Sequence, residues 1–176
     1  NNETGVIHDL VAVKEALADR SPQLRWMVDC VQALGKLKLD LADCGIDYAP
    51  ISGHKIYGPK GIGLLYVQED APIVPLLAGG GQEGGARGGT ENLPGVAAIA
   101  SILQCLTDGE AQTFANTATL EQWRDRLVTA LQTAFPTIVF NTPFEHAVPT
   151  TINFSVEGFS SKEILDLFDA ANIRVS

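Results

Sequence analysis

Ser52-Gly53-His54-Lys55-Ile56-Tyr57-Gly58-Pro59-Lys60-Gly61-Ile62-Gly63 places one lysine at the end of a short apolar run. Small polar residues precede Lys55, a Gly58-Pro59 turn follows it, and a new apolar run, Leu64-Leu65-Tyr66-Val67, comes next. The pattern reads as strand, functional turn, strand. The stretch from Asp47 to Ile51 leads to the lysine, and Ile62 to Val67 is expected to return antiparallel. Lysine is costly to bury unless it is paired or chemically used. A partly desolvated lysine has a lowered pKa, and its neutral amine can form a Schiff base. Ser52 and His54 beside it can donate hydrogen bonds to a phosphate. The ligand that carries both an aldehyde and a phosphate is pyridoxal phosphate (PLP).

A lone lysine in a glycine-rich turn is most often a solvated loop residue. A second site about one βα unit upstream changes that balance. Arg25-Trp26-Met27-Val28 reads as a buried strand ending at Asp29, followed by Cys30-Val31-Gln32. PLP acts as an electron sink when its pyridine nitrogen stays protonated, and a carboxylate at that nitrogen keeps it so. Asp29 can supply the carboxylate, and Gln32 can hydrogen-bond the ring hydroxyl. Both Asp29 and Lys55 follow an apolar strand, so both can lie at the carboxyl edge of a parallel sheet, where open α/β sheets bind ligands. Asp29 as an ordinary helix-starting cap is the plainer alternative.

Val28 to Lys36, Ser52 to Lys55, and the glycine-rich run Gly79-Gly80-Gly81-Gln82-Glu83 to Arg87-Gly88-Gly89-Thr90-Glu91-Asn92 resemble the cysteine desulfurases. The resemblance is to the branch that serves iron–sulfur assembly and tRNA thiolation, within the class V aminotransferase superfamily. The opening Asn1-Asn2-Glu3-Thr4-Gly5 also fits that family's loop over the cofactor ring. The resemblance implies an α/β chain, the later half of a fold-type-I PLP domain followed by the start of a small α+β domain. Residues 1–106 would belong to the first and residues 107–176 to the second, with Thr107-Asp108-Gly109 as the boundary. It implies that Lys55 holds PLP covalently and then moves protons at the substrate carbon. It further implies Asp29 at the pyridine nitrogen, Gln32 and Asn2 at the ring oxygen, and Ser52 and His54 at the phosphate. Thr90 would reach the phosphate of a partner subunit's cofactor, which makes the enzyme a homodimer. The substrate would be L-cysteine and the sulfur acceptor an iron–sulfur scaffold or a thiolation enzyme. Another superfamily member, a transaminase or selenocysteine lyase, and a non-catalytic domain of the same fold are the alternatives.

Four positions depart from the family pattern. Gly84 stands where arginine is usual, Gly88 where serine or alanine is common, Cys30 where alanine is usual, and Pro50 interrupts the strand before Lys55. Proline removes a ladder donor and is tolerated mainly at strand edges and ends. None of the four is itself a proposed cofactor contact. The glycine-rich loop lacks the glycine-lysine-serine/threonine ending of a nucleotide P-loop. Its glycines read instead as close backbone approach to a neighbouring subunit.

The chain has 176 residues, 45% of them hydrophobic, and a net charge of −9. That charge argues against a nucleic-acid or anionic-membrane surface. No apolar run approaches the ~18 residues that span a bilayer, and no signal-peptide pattern opens the sequence. Cys30, Cys44 and Cys105 are scattered, with neither metal-ligand nor disulfide spacing, which fits a reducing cytoplasm. Cys30 is expected as a small apolar filler and none of the three as the sulfur nucleophile. In the family that nucleophile lies on a mobile loop, and the resemblance places it just beyond Ser176. The ring-stacking histidine would lie before Asn1. Superfamily enzymes are longer than this chain, so a fragment is the expectation. Helices are expected from Asp9 to Arg20, ended by Ser21-Pro22, and near Leu39 to Cys44. Another runs from Pro94 to about Leu106. A further helix carries Leu120, Trp123, Leu127 and Leu131 on one face and stops at Pro136. Ile138–Phe140 and Thr151–Phe154 read as strands, and Ser160 with Glu163 as a capping box for a last helix to about Ala171.

Overall fold

The computed structural model describes residues 1–19, 21, 23–107 and 117–176. Arg20, Pro22 and the Asp108-Gly109 part of the expected boundary lie outside the described residues. The chain divides into two compact units: Asp9–Ala115, and Asn1–His8 together with Asn116–Ser176.

In the first unit, α1 (Leu10–Leu17) starts where the Asp9 carboxylate accepts the Ala12 amide, satisfying one of the orphan donors of a helix start. Lys14 on α1 donates to the Asp43 carbonyl at 2.7 Å. That carbonyl belongs to α2 (Leu41–Cys44), which Asp40 caps and Gly45 ends at φ +73°. The chain then enters β1 (Tyr48–Ser52), which pairs antiparallel with β2 (Gly63–Val67) in the register Tyr48↔Val67 through Ser52↔Gly63. This is the strand–turn–strand read from the sequence. α3 (Leu93–Thr107) carries Pro94 in its first turn, where a missing N–H costs nothing.

The core of this unit is small. Cys30, Ile46, Ala49 and Ile51 are buried, and Trp26, Val28, Leu34 and Leu41 pack against them half-buried. Alternate residues of β1 point inward, so Ala49 and Ile51 face the core while Tyr48, Pro50 and Ser52 lie half-exposed. The segment before Asp29 departs from expectation. Arg25–Val28 is extended but not buried: Met27 is 66% exposed, and a single parallel bridge, Met27↔Tyr48, joins the segment to β1.

The second unit holds α4 (Thr117–Ala134), β3 (Ile138–Phe140), β4 (Phe154–Val156) and α5 (Ser161–Ala170). β3 and β4 pair antiparallel, Ile138↔Val156 to Phe140↔Phe154. The second strand thus starts three residues later than the apolar pattern gave, because the Asn153 amide and carbonyl are taken up by Thr142 and Asn141 instead of a ladder. Phe154 lies between Phe140 and Phe168, with ring centroids 6.4 Å away on either side. On α4 the apolar face is only partly covered, with Trp123 at 61% and Leu127 at 50% exposure. Val6 bridges to Ala147, and Asn153 donates to the Glu3 carbonyl at 3.2 Å, so the N-terminal residues are fastened within this unit. No described helix is long and apolar enough to cross a membrane.

The capping box of α5 is complete: the Ser160 side chain accepts the Glu163 amide, and the Glu163 carboxylate accepts the Ser160 amide at 2.7 Å. The side-chain and then the backbone hydrogen bond from Ser160 hold the Glu163 carboxyl below its ordinary value of 4.5. Ser160→Ala should lower the unfolding free energy by about 1 kcal/mol, read as a lower urea midpoint at unchanged slope. A depressed carboxyl contributes fully above its unfolded value and loses that contribution as pH falls through the folded one. The gap between wild type and Ser160→Ala should therefore be widest at neutral pH and narrow in acid.

Candidate functional site

The site rests on two backbone segments that run side by side and in the same direction. Tyr48 N donates to Trp26 O at 3.2 Å, Val28 N to Tyr48 O at 2.9 Å, and Cys30 N to Pro50 O at 3.2 Å. The Asp47 carboxylate ties the start of the pair together, accepting the Trp26 amide at 2.7 Å and meeting Arg25 at 3.2 Å. The next parallel bridge would pair Asp29 with Pro50 and would need an N–H from Pro50, which proline lacks. Only the Cys30-to-Pro50 half of that bridge forms, which explains why a single bridge joins these segments. Both segments release their polar residues at the same, carboxyl-terminal end: Asp29 from one, Ser52, His54 and Lys55 from the other.

Asp29 is exposed, and its Oδ1 accepts the Val31 amide at 2.9 Å. That bond opens a tight turn in which Ala33 N and Leu34 N donate to Cys30 O, and Leu37 N donates to Ala33 O. The turn passes through Gly35 at φ +77°, a conformation that favours glycine. It brings Lys36 back over Gln32, and Lys36 Nζ donates to Gln32 Oε1 at 2.6 Å. Lys36 is half-buried. Its ammonium pKa is lowered, first by desolvation and second by the charge of Lys55. Gln32 and Lys36 therefore form one contact pair on the turn that follows Asp29.

Lys55 sits in a single 3₁₀ turn, Gly53–Ile56, directly after β1. Gly53 N donates to Ile62 O at 3.0 Å, and Gly58 N donates to Gly53 O at 2.9 Å, closing the turn on itself. A methyl group on Gly53 would lie 2.9 Å from Ile62 O and 3.0 Å from the Cδ1 of Ile99, which is buried on α3. Ile56 takes the buried place of the turn at 1% exposure, which leaves His54 and Lys55 exposed and Ser52 half-buried. The burial of Lys55 read from its apolar flanks thus falls to Ile56 in this chain.

The remaining expected contacts lie further off along the chain. Thr90 is exposed, between the glycine-rich loop and α3. Asn2 is exposed in the other unit, where it donates to the Glu3 carboxylate at 3.2 Å. The glycine-rich loop closes on itself: Gly88 N donates to Leu77 O at 2.7 Å, and a methyl group on Gly88 would stand 2.8 Å from Gly79 N. The close approach that requires glycine at Gly88 is to Gly79 of the same loop, which also accounts for glycine where serine or alanine was expected. Arg87 donates to the Gly88 carbonyl at 2.7 Å. Cys30 is buried at 1% exposure. Burial, then Asp29 and Cys44, push its thiol pKa up, so a reactive thiolate is disfavoured there. The motif Val28 to Lys36 contains Lys36 without marking it as a site residue; its spacing of four from Gln32 across a glycine is the available signal.

The donor set fits pyridoxal phosphate. A carboxylate, an amide whose oxygen is occupied by a cation, an amine, and hydroxyl and imidazole donors all follow one end of a paired-segment scaffold. Asp29 would hold the pyridine nitrogen, Gln32 the ring oxygen, Ser52 and His54 the phosphate, and Lys55 the aldehyde carbon.

Comparison with known proteins gives the family. The aminotransferase class-V family model matches residues 1–176. A cysteine desulfurase of Enterobacter agglomerans is 35% identical over all 176 residues, which cover 42% of that protein. A solved NifS-like protein is 32% identical with a TM-score of 0.87, over the whole of this chain and 47% of the other. SspA in complex with cysteine is 29% identical with a TM-score of 0.74, over the whole chain and 46% of the other. The chain therefore spans a little under half the length of the relatives it matches, and it belongs to the class-V aminotransferases, a PLP-dependent family.

Gly53→Ala should push the turn off Ile62 and misplace Lys55. The expected result is at least about a tenfold loss of PLP affinity in an absorbance titration, with a destabilisation of about 1–3 kcal/mol typical of overpacking.

Proposed function

We propose that the protein acts as a PLP-dependent cysteine desulfurase, taking sulfur from L-cysteine and releasing alanine. The observation that carries this reading is that Asp29, with Gln32 and Lys36 on the turn it opens, and Lys55 follow the same end of two parallel segments. It occurs in a chain whose relatives are named cysteine desulfurases. Bound PLP supplies an electron sink for bonds at the substrate carbon. Asp29, acceptor-only when ionised, keeps the ring nitrogen protonated. Lys55 is exposed on a short hydrogen-bonded turn, so its amine can release the cofactor and then carry a proton at the substrate carbon. Ser52 and His54, flanking the turn, hold the phosphate and fix the ring relative to Lys55.

In the reaction the substrate C–S bond breaks, an S–S bond forms on a cysteine thiolate, and the carbon fragment takes up a proton to leave as alanine. In this reading the accepting thiol is none of the three cysteines here; burial of Cys30 and half-burial of Cys44 on α2 support that for two of them, while Cys105 is exposed on α3. In this reading residues 1–106 belong to the large PLP domain and residues 107–176 to the small one. Asn2 joins the ring contacts. The protein works as a cytoplasmic homodimer in which Thr90 reaches the partner's phosphate. It hands sulfur to an iron–sulfur scaffold protein or a tRNA-thiolation enzyme.

Incubation of the protein from its complete reading frame with L-cysteine and a thiol reductant tests the reading. Alanine and sulfide should appear in equal amounts, and Lys55→Ala should lower the rate at least about a thousandfold. Amino-group transfer to a keto acid without sulfide would make the protein a transaminase instead.

A further inference from the structure

We propose that Lys36 is a positioning residue of the cofactor site, which fixes the Gln32 amide so that its Nε2 end is the one that meets the cofactor's ring oxygen. This inference rests on the PLP reading of the site.

An ammonium carries three donors and no acceptor, so the 2.6 Å contact from Lys36 Nζ assigns the near atom of Gln32 as Oε1. The opposite end of the amide is then Nε2, which can only donate. The ring oxygen of PLP is an acceptor when ionised. With the amide turned the other way, two acceptors would face each other. Lys36 thus converts a residue that could present either end into one that presents a donor.

The geometry that brings Lys36 there is built into the chain. Gln32 and Lys36 stand four residues apart on a turn opened by the Asp29 side chain. Gly35 at φ +77° closes that turn. Lys36 is half-buried, and the turn that carries it opens at Asp29, at the same end of the paired segments as Lys55, whose charge helps lower the Lys36 ammonium pKa. A charged hydrogen bond under partial burial holds an amide more firmly than a solvated one. The Lys36 ammonium makes no ion pair among the described residues, and a half-buried cation is unfavourable unless it is used.

The test uses the pH midpoint of the visible absorption change of Lys55-bound PLP, together with PLP affinity. The ionisable groups at this end of the segments are Asp29, Lys36, His54 and Lys55, and only Lys36 is altered first. A donor to the ring oxygen and a nearby cation both favour loss of the proton from the Lys55–PLP link, so removing them raises the midpoint. Lys36→Met should raise it by about 0.5–1 pH unit and weaken PLP binding about threefold to tenfold. Lys36→Arg, which keeps charge and donor, should stay within about 0.2 unit of wild type. Gln32→Leu should also raise the midpoint, and the Lys36→Met/Gln32→Leu double variant should move no further than the larger single change. A wild-type midpoint and affinity in Lys36→Met, an equal shift in Lys36→Arg, or full additivity of the two single changes would each overturn the proposal. Failure of the underlying site reading looks different: wild type takes up no PLP, or Lys55→Ala keeps the wild-type band. The Lys36 role then falls with it.

Discussion

The hydrogen bonds from Val28 and Cys30 to the carbonyls of Tyr48 and Pro50 are the constraint on which the site depends. They set two segments, more than twenty residues apart in sequence, in one direction and one register. Asp47 clamps the beginning of that register through the Trp26 amide and Arg25. Pro50 ends it, since it offers a carbonyl to Cys30 but no N–H to Val28. Pairing at the level of Asp29 is thus reduced to the single bond from Cys30 to Pro50, two residues before β1 itself ends. The Asp29 carboxylate caps the Val31 amide just past this point and so opens the turn that carries Gln32 and Lys36.

Close backbone packing supplies the second constraint. Gly53 has no room for a side chain between Ile62 and Ile99, and Gly58 folds back onto Gly53. The lysine turn is thereby pressed against β2 and α3, with Ile56 as its buried anchor. His54 and Lys55 are exposed because the turn has only one inward place and Ile56 fills it. The same economy of space operates at Gly79 and Gly88, where the loop crosses itself. Position 88 cannot carry the serine or alanine that the family pattern favours without moving Gly79.

Much of this was legible from the residues. The strand–turn–strand around Lys55, the Ser160–Glu163 capping box, the helix opening near Pro94 and the burial of Cys30 each follow from local patterns whose physics is short-range. Three features were not. The depth of Arg25–Val28 depends on what covers both faces of a segment, which an apolar run alone does not state; Met27 stays exposed. The start of β4 depends on side-chain and backbone bonds from Thr142 and Asn141 to Asn153, a pairing eleven and twelve residues long. The Lys36–Gln32 contact depends on Gly35 adopting a left-handed conformation, and the glycine permits that without announcing it.

The central claim is that Lys55 is the residue at which this fold holds its cofactor. It is tested most directly by mixing the protein with pyridoxal phosphate, reducing with borohydride and mapping the modified peptide by mass spectrometry. The account predicts one phosphopyridoxyl group per chain, on the peptide containing Lys55, and its loss in Lys55→Ala. A label on Lys36 or Lys60 instead, or one spread over surface lysines in both proteins, would contradict it.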